Sequence, residues 1–233
     1  MVRQFPLMLA PRQSATLDNF IPGENSQAIS DITACAGTNN GRYLYLWGSD
    51  GTGKSHLITA AARAADDAGH AVAYIPLARA PELSPEMLTN MEQMELVCLD
   101  DIHTIAGDQV WEEALFHLFN RTREQTTNLI VTANCGPSSL NIALPDLVSR
   151  LASGTSYRLT PLDDDTKLDL LVDRANKRGM DLSPDIANYI LKNYSRDTAS
   201  LLAFLEQLDQ ASLAAQRKLT IPFIRALLTR KSQ

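Results

Sequence analysis

The sequence predicts an α/β protein in which a parallel sheet with helices on both faces is followed by a small all-α domain. Two observations support this prediction. Up to about residue 160, short apolar runs alternate with helix-forming segments, which is typical of strands joined by crossover helices. After about Pro161 the strand signal stops, and the remaining segments show only helical periodicity.

The first part of the chain contains five short runs that are apolar and rich in β-forming residues. These predicted strands are Tyr43–Trp47, Ala71–Pro76, Leu96–Asp100, Leu129–Thr132 and Tyr157–Leu159. The helices predicted around them lie at about Ser26–Ala36, Lys54–Ala68, Ser84–Met91, Gln109–Gln125 and Ser138–Ala152. In the fourth helix, the apolar residues recur at the spacing of one buried stripe: Trp111, Leu115, Leu118 and Phe119.

The second part of the chain contains four predicted helices. They lie at Asp163–Lys177, Ser183–Tyr194, Thr198–Gln216 and Thr220–Thr229. Ser183 suits a helix N-cap because Pro184 follows it at the first helical position. We therefore expect an extended tail over residues 1–15, a nucleotide-binding base domain over 16–160 and a helical domain over 161–233.

Composition restricts the classes of function. No apolar run approaches the roughly 18 residues of a membrane span, and the N-terminus lacks a signal-peptide pattern, so we expect a cytoplasmic protein with no membrane partner. The net charge of −6 and the pI near 5.2 argue against broad electrostatic binding to DNA. The three cysteines and four histidines show no metal-ligand spacing.

The most informative motif lies between the first predicted strand and the helix after it. Gly48-Ser49-Asp50-Gly51-Thr52-Gly53-Lys54-Ser55 fits the phosphate-binding pattern G-x-x-x-x-G-K-[ST]. Glycines allow the backbone to aim successive N–H groups at phosphate oxygens, and the following helix N-terminus favours negative charge. Lys54 adds a point charge, and Ser55 offers a hydroxyl ligand for Mg²⁺. The motif predicts a nucleotide site.

Polar residues follow two later strands. Asp100 and Asp101 end an apolar strand, where Asp100 suits a Mg²⁺-side acid and Asp101 an orienter of water. Thr132 and Asn134 end the next strand, either beside the phosphates or merely at a strand-to-turn boundary. Arg150 follows an apolar helical segment, and three interpretations of it stay open. It is a plain surface residue, a cap of its helix C-terminus, or a group that faces the nucleotide of a neighbouring subunit.

Taken together, these motifs resemble the AAA+ family. GxxxxGKS, LVCLDDI, the polar strand end and LPDLVSRL are most similar to the DnaA-related group, which comprises initiators of the DnaA type and shorter regulators of the Hda type. TLDNFIPGEN is similar to that group's adenine-side loop, and LEQLDQASLAAQRKLTIPFIRALL is similar to the Hda-type C-terminal segment. In this group the helical domain that follows the nucleotide-binding domain is called the lid. The chain ends about where the lid ends, so we expect no DNA-binding domain.

The resemblance implies roles for individual residues. It makes Arg150 an arginine finger offered in trans, Asp101 the water-orienting position, and Ser55 and Asp100 the Mg²⁺ ligands. The residues that it places around ADP or ATP are Gly48, Gly51, Thr52, Gly53, Lys54, Ser55, His56, Asn134, Phe20 and Arg196. The family's lid arginine is expected where Ala199 stands, about one turn after Arg196, so we do not expect robust ATP turnover by this chain itself.

The N-terminal tail is similar to the motif that binds the bacterial sliding clamp. Gln4 would hydrogen-bond at the rim of the clamp pocket, and the other contact residues would be Phe5, Leu7 and Leu9. The resemblance thus implies a negative regulator of replication initiation whose partners are DnaA and the DNA polymerase sliding clamp. Contact with DNA would be indirect, through the clamp. Whether the chain forms a homo-oligomer stays open. An AAA+ helicase loader and a phosphoryl-transfer kinase are the alternatives.

Overall fold

The computed structural model describes residues 15–194, 197–215 and 219–230. The predicted clamp-binding residues Gln4, Phe5, Leu7 and Leu9 lie outside the described residues, and so does Arg196. The described part divides into two compact units at Thr160 and Pro161, except that Asp50–Thr52 group with the second unit. Among the described helices, none is long and apolar enough to cross a membrane.

The described part of the first unit contains five strands and four α-helices. The strands are β1 (Tyr43–Trp47), β2 (Val72–Pro76), β3 (Leu96–Asp100), β4 (Asn128–Ala133) and β5 (Thr155–Arg158). The helices are α1 (Ser26–Gly37), α2 (Lys54–Asp67), α3 (Gln109–Glu124) and α4 (Pro145–Ala152). All strand pairs are parallel, and the sheet order is β2-β3-β4-β1-β5. The predicted fold class is confirmed.

Each face of the sheet has its own apolar core. Alternate strand residues such as Tyr45 and Val131 pack with α3 and α4, whereas their neighbours Leu46 and Ile130 pack with α1 and α2. This division follows from the strand geometry, because successive side chains point to opposite faces. The predicted stripe on α3 is buried against the first of these cores: Trp111, Leu115, Leu118 and Phe119.

Three predicted elements differ from the structure. Residues predicted as a helix at Ser84–Met91 form only short 3₁₀ turns, at Pro85–Leu88 and Met91–Gln93. The helix predicted from Ser138 begins at Pro145, because that proline fixes a first-turn geometry and lacks the N–H that an earlier start would need.

The last strand begins two residues earlier and ends one residue earlier than predicted. β5 covers Thr155–Arg158 at the sheet edge, with three of its four residues exposed. A strand that buries so little shows no apolar pattern from which its bounds could be read.

The second unit is helical after Pro161. Its helices are α5 (Asp164–Lys177), α6 (Pro184–Asn193), α7 (Thr198–Ala215) and α8 (Ile221–Arg230). Their shared core includes Leu171, Ile190, Phe204 and Leu208. Ser183 does occupy the N-cap of α6, but its side chain makes no capping hydrogen bond, which corrects that part of the prediction.

Candidate functional site

The glycine-rich loop joins β1 to α2, as the motif predicts. Lys54, the first residue of α2, is only 6% exposed, and its Nζ donates to the carbonyl oxygens of Gly48 and Ser49, each at 2.9 Å. Burial of an ammonium is unfavourable without such partners. An ammonium has three N–H donors, and two of them are used by carbonyl oxygens of the described residues. The third can bind a phosphate oxygen. The loop therefore holds its cation in place before any ligand binds.

Gly53 explains why the last glycine of the motif is required. Its φ of 90° lies in the left-handed region, where side chains are strained, and it forms the N-cap of α2. A Cβ added to Gly53 would also lie 2.5 Å from Cε2 of Phe20. The phenyl ring of Phe20 thus packs directly on the phosphate-binding loop.

Phe20 and His56 form an aromatic pair beside the start of α2. Their ring centroids are 5.7 Å apart, and Nε2 of His56 lies 3.0 Å from the carbonyl oxygen of Thr16. Because a carbonyl oxygen only accepts, Nε2 carries the hydrogen in this contact. The structure therefore brings two predicted nucleotide-binding residues together against the loop, where a flat base would find an aromatic surface.

Asp100 lies at the carboxyl end of β3 and is 4% exposed. Its Oδ1 accepts from Oγ1 of Thr132 at 2.5 Å, and its Oδ2 accepts from the hydroxyl of Tyr74 at 2.9 Å. Burial, and after it the negative charge of Asp100, raises the pKa of Tyr74, so the phenol stays a donor at neutral pH. Two neighbouring strands thus fix the orientation of this carboxylate.

Asp101 follows β3 in a left-handed conformation with φ of 60°. Its backbone N–H donates to Oγ1 of Thr132 at 2.8 Å, so one buried hydroxyl connects Asp100 to Asp101. Nδ1 of His103 lies 3.9 Å from Oδ1 of Asp101, which is too long for a hydrogen bond. Thr132 therefore organises the two acids, and sequence reasoning missed both this role and that of Tyr74.

Asn134 lies at the same edge of the sheet. It directly follows Ala133, which pairs with Trp47 in register and accepts from the N–H of Gly48 at 3.3 Å. Its side chain is exposed. The start of the phosphate-binding loop and this amide are therefore close neighbours, as expected where the carboxyl ends of parallel strands meet.

Arg150 lies in the last turn of α4 and is partly exposed. Within the described residues its guanidinium has no hydrogen bond or ion pair, whereas its carbonyl accepts from the N–H and Oγ of Ser153 at 3.1 and 2.7 Å. Ser153 thus caps the helix, and the arginine side chain does not. Leu147 and Leu151 of the same helix are fully buried and anchor it to the core.

Ser55 and Asp100 supply the kind of oxygen ligands that Mg²⁺ prefers. Ser55 is exposed on the first turn of α2, at the loop that holds Lys54. Among the described residues no group of three or more His, Cys, Asp or Glu side chains could hold a metal ion. A magnesium ion at this site would therefore need phosphate oxygens and water to complete its coordination, which fits the way that Mg²⁺ binds with nucleotides.

Comparison with known proteins extends along both units. A family model of the bacterial DnaA ATPase domain matches residues 12–158, and a model of the Hda lid domain matches residues 164–228. Domain III of the Thermotoga maritima replication initiation protein DnaA is similar with a TM-score of 0.78 and 20% identity, over 96% of this chain and 98% of that one.

Two further solved structures are informative. AMPPCP-bound DnaA from Aquifex aeolicus has a TM-score of 0.72 and 24% identity. The match covers 85% of this chain and 66% of that DnaA. The DnaC helicase loader has a TM-score of 0.50 and 17% identity over 64% of this chain and 98% of that one. At these identities the likeness is one of fold.

Proposed function

Because the chain belongs to the bacterial DnaA ATPase family and continues into an Hda-type lid, we propose that it is a negative regulator of chromosomal replication initiation. In this proposal it binds ADP or ATP, binds the DNA-loaded sliding clamp through its N-terminal tail, and stimulates ATP hydrolysis by DnaA. The observation that carries the proposal is the combination of a DnaA-type base with an Hda-type lid in one chain.

The nucleotide site is supported by the loop geometry. The side-chain ammonium of Lys54 is fixed at the loop, and Ser55 and Asp100 offer oxygen ligands for Mg²⁺. Asn134 lies beside the start of the loop. Bound nucleotide supplies the phosphates that these donors would hold, and Phe20 with His56 would contact its base. In the proposal Asp101 orients water at this site.

The proposed action on DnaA depends on Arg150. Two observations support this role: Arg150 is partly exposed, and its guanidinium has no partner among the described residues, so in the proposal it reaches the nucleotide of another molecule. An arginine supplied in trans stabilises the charge that develops during phosphoryl transfer, which contributes about 10³–10⁵ in rate. The tail would raise the local concentration of the chain wherever clamps remain on DNA.

The test measures ATP hydrolysis by DnaA in the presence of clamp-loaded DNA. Wild-type chain is expected to stimulate hydrolysis, and Arg150→Ala is expected to remove that stimulation. Arg123→Ala is the matched control, since Arg123 is an exposed arginine in the last turn of α3. Equal stimulation by the wild type and Arg150→Ala would remove the arginine from the mechanism.

A second arm separates clamp binding from nucleotide binding. Deleting residues 1–9 should abolish binding to the clamp while nucleotide affinity stays unchanged. Retained clamp binding would refute the assignment of the tail motif.

A helicase-loader-like ATPase is the alternative, but the DnaC likeness extends over a smaller part of this chain than the DnaA likeness does. Capture of the replicative helicase by this chain, without any effect on DnaA, would favour the alternative.

A further inference from the structure

Glu112 is a buried carboxylate on α3 that has no role in the proposed chemistry. It is 1% exposed, and no cationic side chain is among its described hydrogen-bond partners. A buried carboxylate without an ion pair needs several hydrogen-bond donors to remain charged. The partners of Glu112 therefore indicate what this charge does in the fold.

Backbone N–H groups from two separate loops satisfy this carboxylate. Oε1 accepts from the N–H of Gly107 at 2.7 Å, and both carboxylate oxygens accept from the N–H of Ala143, at 3.1 and 3.0 Å. Oε2 also accepts from the N–H of Leu144 at 2.9 Å. One side chain thus ties the turn before α3 to the segment that leads into α4.

The second of these loops determines where α4 begins. Leu144 is the N-cap of α4, and a leucine has no side-chain oxygen with which to cap a helix. The carboxylate of Glu112 lies at this N-terminus, where the partial positive charge of the helix favours an anion. Tyr43 holds the other end, because its hydroxyl donates to the carbonyl oxygen of Leu151 at 2.9 Å.

Arg150 lies six residues after Leu144, so its Cα is about 9 Å along the helix axis from the anchored start, at about 1.5 Å per residue. Loosening the start of such a short helix would tilt its last turn, from which the guanidinium projects. We propose that Glu112 is a positioning residue that fixes α4, and with it Arg150, in the orientation that acts on DnaA-bound ATP. This inference rests on the proposed function of Arg150.

The experiment compares Glu112→Gln with Glu113→Gln. Glu113 is the adjacent, exposed glutamate, which accepts from Nε2 of Gln109 at 2.8 Å on the helix surface. Hydrolysis of the ATP bound to DnaA is measured at increasing concentrations of this chain. The curve gives the maximal stimulated rate and the concentration at half-saturation as separate quantities. Each substitution is also made in the Arg150→Ala background.

Glu112→Gln is expected to lower the maximal rate about 10- to 100-fold, because a misplacement near 1 Å costs up to about 100-fold in rate. Half-saturation and nucleotide affinity should change less than about twofold, since neither the DnaA-binding surface nor the phosphate-binding loop is altered. Glu113→Gln should match the wild type. In the Arg150→Ala background, Glu112→Gln should have no further effect, because the residue acts only through the arginine.

The outcomes are distinguishable. Full stimulation by Glu112→Gln while Arg150→Ala is inactive would overturn this inference and leave the proposed function intact. Full stimulation by Arg150→Ala would overturn this inference together with the role of Arg150, whereas no stimulation by the wild type would overturn the proposed function itself. One measurement needs no variant: in wild-type chain the amides of Ala143 and Leu144 should exchange slowly with deuterium. Exchange as fast as in an exposed loop would contradict the role of Glu112 even if Glu112→Gln fails to fold.

Discussion

Lys54 and Arg150 are two cations of the same α/β unit that the fold holds in opposite ways. Lys54 is buried, and its ammonium donates to carbonyl oxygens of its own loop. The helix of Arg150 is fixed at both ends by Glu112 and Tyr43, while the guanidinium itself has no partner within the described residues. A cation can thus be preorganised either through its side chain or through its backbone.

The same contrast extends to the acids. Both oxygens of Asp100 are engaged by hydroxyl groups of Tyr74 and Thr132, so this carboxylate is rigid before any metal binds. A rigid set of groups suits a ligand that stays in the chain, whereas an unengaged guanidinium on a rigid helix suits a target on another molecule.

Arg150→Lys keeps the positive charge but loses the planar fork of donors. The maximal stimulated rate of ATP hydrolysis by DnaA should fall by about 100-fold or more, because lysine cannot bridge two phosphate oxygens in the same geometry. Steady-state phosphate release measures the change, with Arg123→Lys as the control. A stimulated rate within threefold of the wild type would show that charge alone acts at this position.

Lys54→Ala should weaken nucleotide binding about 100-fold, since it removes charge-assisted hydrogen bonds to phosphate. Titration calorimetry with ADP measures this affinity. Arg63→Ala removes a cation from the exposed side of the same helix, where Arg63 pairs with Asp67, and should leave the affinity unchanged. Similar losses in both variants would indicate that general charge, not the loop, determines affinity.

Thr132→Val keeps the shape of a fully buried side chain but removes its hydroxyl. The free energy of unfolding should fall by about 1–3 kcal/mol, because the N–H of Asp101 loses its acceptor and Asp100 loses a donor. Urea unfolding measures the change. Thr104→Val, which removes an exposed hydroxyl bonded to the carbonyl of Asp101, should cost less than about 0.5 kcal/mol.

Tyr43→Phe removes only the hydroxyl that caps the end of α4, since the ring keeps its edge contact with Phe119. The free energy of unfolding should fall by about 0.5–1.5 kcal/mol at neutral pH. Burial holds the pKa of Tyr43 well above its ordinary value, so the folded state favours the protonated phenol. The difference between wild type and variant should thus be constant below about pH 10 and shrink as pH rises further. Chemical unfolding across this range tests the sign, and a difference that grows with pH would contradict it.

Local sequence was sufficient for some elements but not for others. β1 and β3 agree with the predicted bounds because each is a short apolar run followed at once by a glycine or an acid. The predicted start of α4 was wrong by seven residues, since Pro145 begins the helix and the N–H groups of Ala143 and Leu144 just before it bond to the distant carboxylate of Glu112.

The candidate site divides in the same way. The loop from Gly48 to Ser55 is one contiguous motif, so the sequence alone could locate it. The contacts of Asp100 with Tyr74 and Thr132 depend on strand pairing across 26 and 32 residues, which no local pattern encodes. Tyr74 and Thr132 reach Asp100 because β2, β3 and β4 are adjacent in the sheet.

The action of this chain on DnaA can be measured in a single turnover. DnaA preloaded with labelled ATP is mixed with this chain, which is preloaded with unlabelled ADP, and with clamp-loaded DNA, and the release of labelled phosphate is followed. Since only DnaA carries the label, any acceleration is exerted across the two molecules. If Arg150 acts in trans, release is rapid with the wild type and occurs only at the intrinsic rate of DnaA with Arg150→Ala. Identical release in both reactions, or no acceleration by the wild type, would contradict it.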